Sequence, residues 1–462
     1  MFKYSIRMAV AISLIAVMLV GCGSKASNKS SDASASQSAS SQESNSAPVS
    51  ADKKEMVTLK FFHWYNDDQD KWNDVYKAFQ EKYPYIKVES VTAGDNNSQE
   101  YLKKLDLAAA SGDQIDLMMF SAPQYYAQRA AINMLEPLDD YIAKDGYKVA
   151  DDYYSDPAIN GKTYGLPAKK VSFFVLLNKN HLDEAGLTVP KEWTWDEYLE
   201  YAKKLTKGEG TNKRYGTYFH SWSNYTQLAQ GFQMDDYYLL KPDGKTLNVE
   251  TPLMKKSLEI RHQAEFVDKS ATPFSEIVSQ KLNYRPQYFS EKASMIVTGD
   301  FLIPETGGTD KVPANFKTAF APLPTVNKGD PQTTTNASDL LSVYSKSKHK
   351  EEAYLFARWY TTEGIQLQGK YIPSYKKADI AKVIDNQLAS AKTPEMVDKE
   401  SLLYVMQNQI PQNFVVPVSY YDQADQAFLK EMDLFLLGKE DVDTALKNAA
   451  AKIQEVVNSN SK

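Results

Sequence analysis

The sequence predicts an α/β protein of two lobes with a ligand cleft between them, and three observations carry that expectation. At 462 residues the chain is too long for one ordinary hydrophobic core. Between 57 and 130, apolar runs of strand length alternate with helical spacing in a β-α-β-α-β order, which calls for parallel strands covered by helices. The third is the stretch 160–178, N-G-K-T-Y-G-L-P-A-K-K-V-S-F-F-V-L-L-N. Gly161, Gly165 and Pro167 interrupt any helix there, and 171–177 is a nearly unbroken apolar, β-branched run. Patterns sufficient for one lobe precede this stretch and a second set follows it, so it is expected to cross between lobes.

Charge and cysteine usage narrow the class. Lys+Arg number 53 against Asp+Glu 59, a net charge of -6 that gives no general attraction for nucleic acid. Thirty tyrosines and 19 phenylalanines are more rings than a core needs, so some are expected to face a ligand. Cys22 is the only cysteine, which rules out an intramolecular disulfide. Lys3 and Arg7 precede an apolar stretch at 8–20 that is too short for a durable membrane span. It ends in Leu19-Val20-Gly21-Cys22, which matches the bacterial lipobox. Residues 1–21 are therefore expected to be a lipoprotein signal peptide, with Cys22 acylated and holding the chain at the outer face of a membrane. Residues 22–55, mostly Ser, Ala, Asn, Gln and Lys, read as a disordered tether.

Taken in order, the folded part opens with a strand at 57–64. Asp67 and Asp68 sit where helix N-caps belong, ahead of Trp72, Val75, Tyr76 and Phe79 at helical spacing. Pro84 breaks that helix, and 86–90 is a second strand. Leu102, Leu105 and Ala109 mark a helix that Gly112 stops. A third strand at 115–120 leads into a helix through Ala130. Ligands in such sheets bind beyond the carboxyl ends of the strands, where Trp64, Tyr65, Asp67, Ser121 and Gln124 fall. Beyond the crossing, 182–186 is a short helix. Thr194-Trp-Asp-Glu197 is a capping box opening a helix to Leu205. Strands are expected at 215–219, 293–298, 318–322 and 340–344, with a helix starting near Pro252 and others at 351–360 and at the C-terminus.

Several stretches, in this order, resemble the extracellular solute-binding proteins of ABC sugar importers, the family that includes maltose-binding protein. They are Gly161-Lys-Thr-Tyr-Gly-Leu-Pro167 leading to Leu176-Leu-Asn178; Leu187-Thr-Val-Pro190 with Trp193-Thr-Trp195-Asp-Glu197; Pro242-Asp-Gly-Lys245; Phe289-Ser-Glu-Lys-Ala293-Ser-Met295 with Gly299; and 339–345 ahead of a long helix. The resemblance covers nearly the whole mature length. It implies a periplasmic-binding-protein-like fold of type II, with one lobe at 56–166 plus 336–372 and the other at 167–335 plus 373–462. A second crossing would fall near 334–339 and a third near Tyr371. It also implies a carbohydrate ligand, expected to be an oligosaccharide from the aromatic count, an ABC permease partner, a monomer and no cofactor. ATP would be hydrolysed by another subunit. A lipid anchor on a soluble body suits a Gram-positive cell surface. Phe301 stands where the family often has Trp, and Ser338-Asp339 where it commonly has Gly-Gly.

A sugar site needs aromatic platforms for C–H faces and carboxylates or amides for hydroxyls. Trp222, among Ser221, Ser223 and Asn224 after a strand, is the leading platform. Trp64 is another, unless strand alternation turns it into the core, and Tyr65 follows it. The resemblance adds Phe301 and one of Tyr420 and Tyr421. Asp300 and Asp339 are the preferred hydroxyl acceptors, Asp67 could instead cap a helix, and Gln124 and Lys169 complete the set. Lys169 could equally be solvated surface. No H-E-x-x-H, G-x-S-x-G, Walker or G-x-G-x-x-G motif is present. A surface glycoside hydrolase, which needs only two suitably spaced carboxylates, and a purely adhesive lipoprotein remain as alternatives.

Overall fold

The computed structural model describes residues 55–460 apart from 93, 95 and 311, and among the described residues nine of eleven strands build two principal sheets while the other two form a separate pair. Cys22 and the signal peptide and tether expectations lie outside the described residues. The strands are β1 (Val57–Phe62), β2 (Ile86–Val91), β3 (Leu117–Phe120), β4 (Leu166–Val171), β5 (Phe173–Asn178), β6 (Tyr215–Tyr218), β7 (Ala293–Gly299), β8 (Thr318–Ala321), β9 (Thr333–Thr334), β10 (Ala337–Val343) and β11 (Ile410–Pro411). Sheet one has the order β2-β1-β3-β10-β4, and sheet two β6-β7-β5-β8. β1 runs parallel to β2 and β3, as the β-α-β-α-β reading requires, while β10 enters antiparallel between β3 and β4. β5 is buried along its whole length between β7 and β8, which explains its unbroken apolar run.

The run at 171–177 is not one strand. β4 ends at Val171 and β5 begins at Phe173, and the two belong to different sheets. Ser172, the polar residue in that run, is the point of passage. The chain returns between Thr334, in β9, and Ala337, where β10 starts. It passes between the two cores again at Tyr371 and Ile372: Tyr371 packs in the core of sheet one and Ile372 in a core of sheet two. Here Lys170 N–H donates to the Ile372 carbonyl (2.8 Å) and Ser374 N–H to the Ala168 carbonyl (2.7 Å).

Local signals held where they were self-contained. Thr194 and Glu197 form the reciprocal capping box on the helix Trp195–Leu205, and Thr251 caps Pro252–His262. The expected caps at Asp67 and Asp68 are corrected. The first helix is Trp72–Lys82, and its N-cap residue is Lys71, in a left-handed backbone (φ 57°) without a side-chain cap. The Asp68 carboxylate instead accepts from the Asn73 amide (2.7 Å). The C-terminal helices Tyr421–Leu436 and Val442–Asn460 pack on each other through Phe428, Met432, Leu446 and Ile453.

Candidate functional site

The crossing at Ser172 is held by side chains. Asp300 donates its N–H to the Ser172 carbonyl (2.9 Å) and accepts the Ser172 N–H on Oδ2 (3.0 Å). Asp300 is only 2% exposed. Burial pushes its carboxyl up to about 7, against the pull of the Ser172 N–H, Lys169 and Lys170. Asp339, in β10, is equally buried. Tyr65 hydroxyl donates to its Oδ2, and Lys169 Nζ stands 3.2 Å from that oxygen and 2.9 Å from the Tyr65 oxygen. Burial pushes the Asp339 carboxyl up, while Lys169 and Tyr65 hold it down. The Lys169 ammonium also lies 4.8 Å from the centre of the Tyr371 ring, a cation–π contact. Tyr371 hydroxyl in turn donates to Asp70, which pairs with Lys370 at 3.1 Å. The structure therefore unites Tyr65, Lys169 and Asp339 in one buried hub. Asp300 and Asp339, expected as hydroxyl acceptors, are both buried, and the partners given above are protein groups.

On the side of sheet two an aromatic group gathers. Trp222 is 40% exposed. Its ring centre lies 5.3 Å from that of Tyr284, 6.4 Å from Phe301 and 4.6 Å from the His220 ring. Phe301 is also 6.2 Å from Tyr284 and from Phe173, the residue after the crossing. The contacts of Trp222 with Tyr284 and Phe301, and of Phe301 with Tyr284 and Phe173, are edge-to-face, and that of Trp222 with His220 is tilted. Arg285 covers Tyr284 at 4.9 Å, pairs with Glu305 at 2.9 Å, and has Tyr371 within electrostatic reach. The aromatic group and the hub of sheet one thus meet across the crossing.

The remaining sequence candidates separate. Ser121 and Gln124 are half-buried at the carboxyl end of β3 and in the first turn of the helix Pro123–Ala131. Trp64 is core, stacked near Tyr65 and Tyr101, because β1 ends at Phe62 and alternation no longer fixes its side. Tyr420 gives its hydroxyl to the Gly244 carbonyl and packs beside the C-terminal helices, away from this group. Asp67 faces His63 (3.4 Å), whose Nε2 also meets Ser90 Oγ and Tyr76 hydroxyl, both at 2.9 Å. This is no Ser-His-Asp relay: the serine and the carboxylate share one ring nitrogen, and the other accepts the Tyr65 N–H. The ring is fully buried, which pushes its pKa down to about 3 and keeps it neutral.

Sequence reasoning missed Tyr284, Arg285 and Asp425. Asp425 carried a readable signal, being a carboxylate four residues after Tyr421 and three before Phe428 on an apolar helix face. Among the described residues no cluster of three or more His, Cys, Asp or Glu is placed to hold a metal, and no helix is long and apolar enough to cross a membrane. A cavity of about 1290 Å³ is lined by Glu259, His262, Phe266 and Asp441, and none of the groups above lines it.

Two α/β lobes joined at side-chain-clamped crossings, with aromatics beside the join, define a hinged binding protein. A family model described as bacterial extracellular solute-binding protein matches residues 65–367, and the chain belongs to that family. A multiple sugar-binding protein of Streptococcus mutans is 23% identical over 337 residues, 69% of this chain and 74% of the relative. Among solved structures, an ABC substrate-binding protein of Listeria monocytogenes in complex with cycloalternan has a TM-score of 0.73 at 20% identity, covering 87% of this chain and 100% of that one. UgpB of Mycobacterium tuberculosis in complex with glycerophosphocholine has a TM-score of 0.69 at 18% identity, covering 88% and 100%.

Proposed function

We propose that this protein captures a carbohydrate, an oligosaccharide, between its lobes and hands it to the membrane subunits of an ABC transporter, while a lipid on Cys22 keeps it at the outer face of the cell membrane. The observation that carries the reading is the half-exposed Trp222 ring with Phe301 and Tyr284 beside the Ser172 crossing. Rings so placed bind C–H faces of pyranoses, and closure about the crossing brings Ser121 and Gln124 towards the hydroxyls. The closed form is the one a permease distinguishes from the empty, open one. The sugar relative and the cycloalternan-bound neighbour support this ligand class.

No chemical step is part of the reading. A glycoside hydrolase needs an accessible carboxylate pair, whereas Asp300 and Asp339 are covered and engaged with Ser172, Tyr65 and Lys169. The test is thermal unfolding of the full-length chain in detergent across a panel of glycans, with each glycan analysed afterwards by chromatography. At a hundred times its Kd a ligand adds about 2.7 kcal/mol of stability. A shift with the glycan recovered intact supports capture; cleavage products, or no shift with any glycan, sink it.

A further inference from the structure

A ligand reaching Trp222 meets a carboxylate other than Asp300 or Asp339. Asp425 lies on the helix Tyr421–Leu436, half-buried at the edge of its apolar face. Its Oδ1 accepts the hydroxyl of Ser223, the residue after Trp222, and Gln227 Nε2 steadies that hydroxyl at 2.8 Å. Among the described residues no cation pairs with Asp425; its electrostatic neighbours include Asp422, Tyr238, Tyr421 and, from the other lobe, Tyr125. Tyr125 belongs to the helix Pro123–Ala131, one residue after Gln124, and its hydroxyl accepts from the Gln99 amide at 2.6 Å. The connections run from Asp300 at the crossing to its neighbour Phe301, across 6.4 Å to Trp222, to the adjoining Ser223 and on to Asp425.

Resting on the carbohydrate reading above, we propose that Asp425 is a ligand-binding residue that accepts sugar hydroxyls at the end of the cleft remote from the crossing, with Tyr125 closing on it from the other lobe, so that the ligand is a neutral saccharide of at least two residues. A carboxylate whose hydrogen-bonding partner is a single serine hydroxyl has lone pairs left over for hydroxyl donors. Donors to a charged acceptor make the stronger class of hydrogen bond. The rings of Phe301 and Trp222 take up the apolar faces in between. A ligand that covers both rings and also reaches Asp425 spans that whole chain of contacts, so this group discriminates by length.

The test is calorimetric titration of the full-length chain in detergent with malto-, xylo- and arabino-oligosaccharides of one to four residues and a chitosan trimer. Asp425→Ala and Asp425→Asn are expected to weaken the best-bound oligosaccharide about ten- to a hundredfold, to leave any monosaccharide binding unchanged, and to keep the ligand-free melting temperature. Tyr125→Phe, which leaves the Asp425 helix intact, is expected to weaken the same oligosaccharide and not the monosaccharide. Unchanged oligosaccharide binding in all three variants overturns the proposal, as does tighter binding of the chitosan trimer than of every neutral glycan. If the unmutated chain binds no glycan, the carbohydrate reading itself has failed, which is a separate result.

Discussion

Asp300 grips Ser172 by both of its backbone groups, donating to the carbonyl at 2.9 Å and accepting the N–H at 3.0 Å. Thr334 does the same one residue on: its Oγ1 accepts the Phe173 N–H at 2.8 Å and donates to the Phe173 carbonyl at 2.7 Å. Thr335 adds a hydroxyl on the Val171 carbonyl at 2.8 Å. The backbone of the crossing is thus satisfied by the Asp300 N–H and by side chains, all from the later part of the chain.

Thr334→Val removes both bonds at nearly constant shape. Gln409 still donates to the Phe173 carbonyl (3.1 Å), so the lasting defect is one buried N–H. A loss of about 1–3 kcal/mol in urea unfolding is expected. A variant as stable as the parent would remove Thr334 from the hinge argument.

Asp300→Asn isolates a pH effect. The buried carboxyl titrates near 7 in the folded chain against 3.8 as its ordinary value, so the folded state binds the extra proton between those values. Its raised pKa therefore favours folding at low pH, and that advantage is lost as pH rises through 7. His63 and His220, which burial pushes down to about 3 and about 4, act in the opposite sense. The quantity to measure is consequently the stability of the parent minus that of the variant, at pH 5 and pH 8. The parent should gain relative to Asp300→Asn at pH 5; an equal difference at both values would refute the assignment.

Lys169→Met strands the Asp339 carboxylate without its cation. Breaking such a buried pair costs about 3–5 kcal/mol, so a fall in melting temperature at pH 8 is expected. The double variant with Asp339→Asn should recover much of it.

Gly216→Ala should be among the most damaging single changes. A Cβ there would stand 1.8 Å from the Ala202 carbonyl oxygen, the backbone of the helix Trp195–Leu205 lying against β6. Overpacking against backbone costs about 3 kcal/mol or more, readable as loss of folded yield and of helical circular dichroism.

Trp222→Ala makes the complementary prediction. Its half-exposed ring contributes little to the core, so stability should stay within about 1 kcal/mol, while glycan affinity falls about tenfold or more. Lost stability with intact affinity would make the ring structural.

The α/β class and the crossing stretch were legible because Gly161, Gly165, Pro167 and the apolar run are local signals. The division at Ser172 was not, since the partners of β4 and β5 come from β10 and from β7 and β8, far along the chain. Asp300 and Asp339 were recognisable as unusual carboxylates, yet only tertiary pairing turns them towards Ser172 and Lys169. Trp64, read as platform or core, lies in the core past the end of β1, and Tyr420 has its hydroxyl on the Gly244 carbonyl of a neighbouring turn. Asp425 gains its place only through Ser223, 202 residues away in sequence.

The insertion of β10 between β3 and β4 also governs when the protein can fold. Sheet one stays open at its centre until residues 337–343 have been synthesised, so its pairing has high contact order and forms slowly. The β11–β9 pair and the C-terminal helices come later still. A first lobe whose sheet cannot close before about three quarters of the chain exists completes its core late in synthesis.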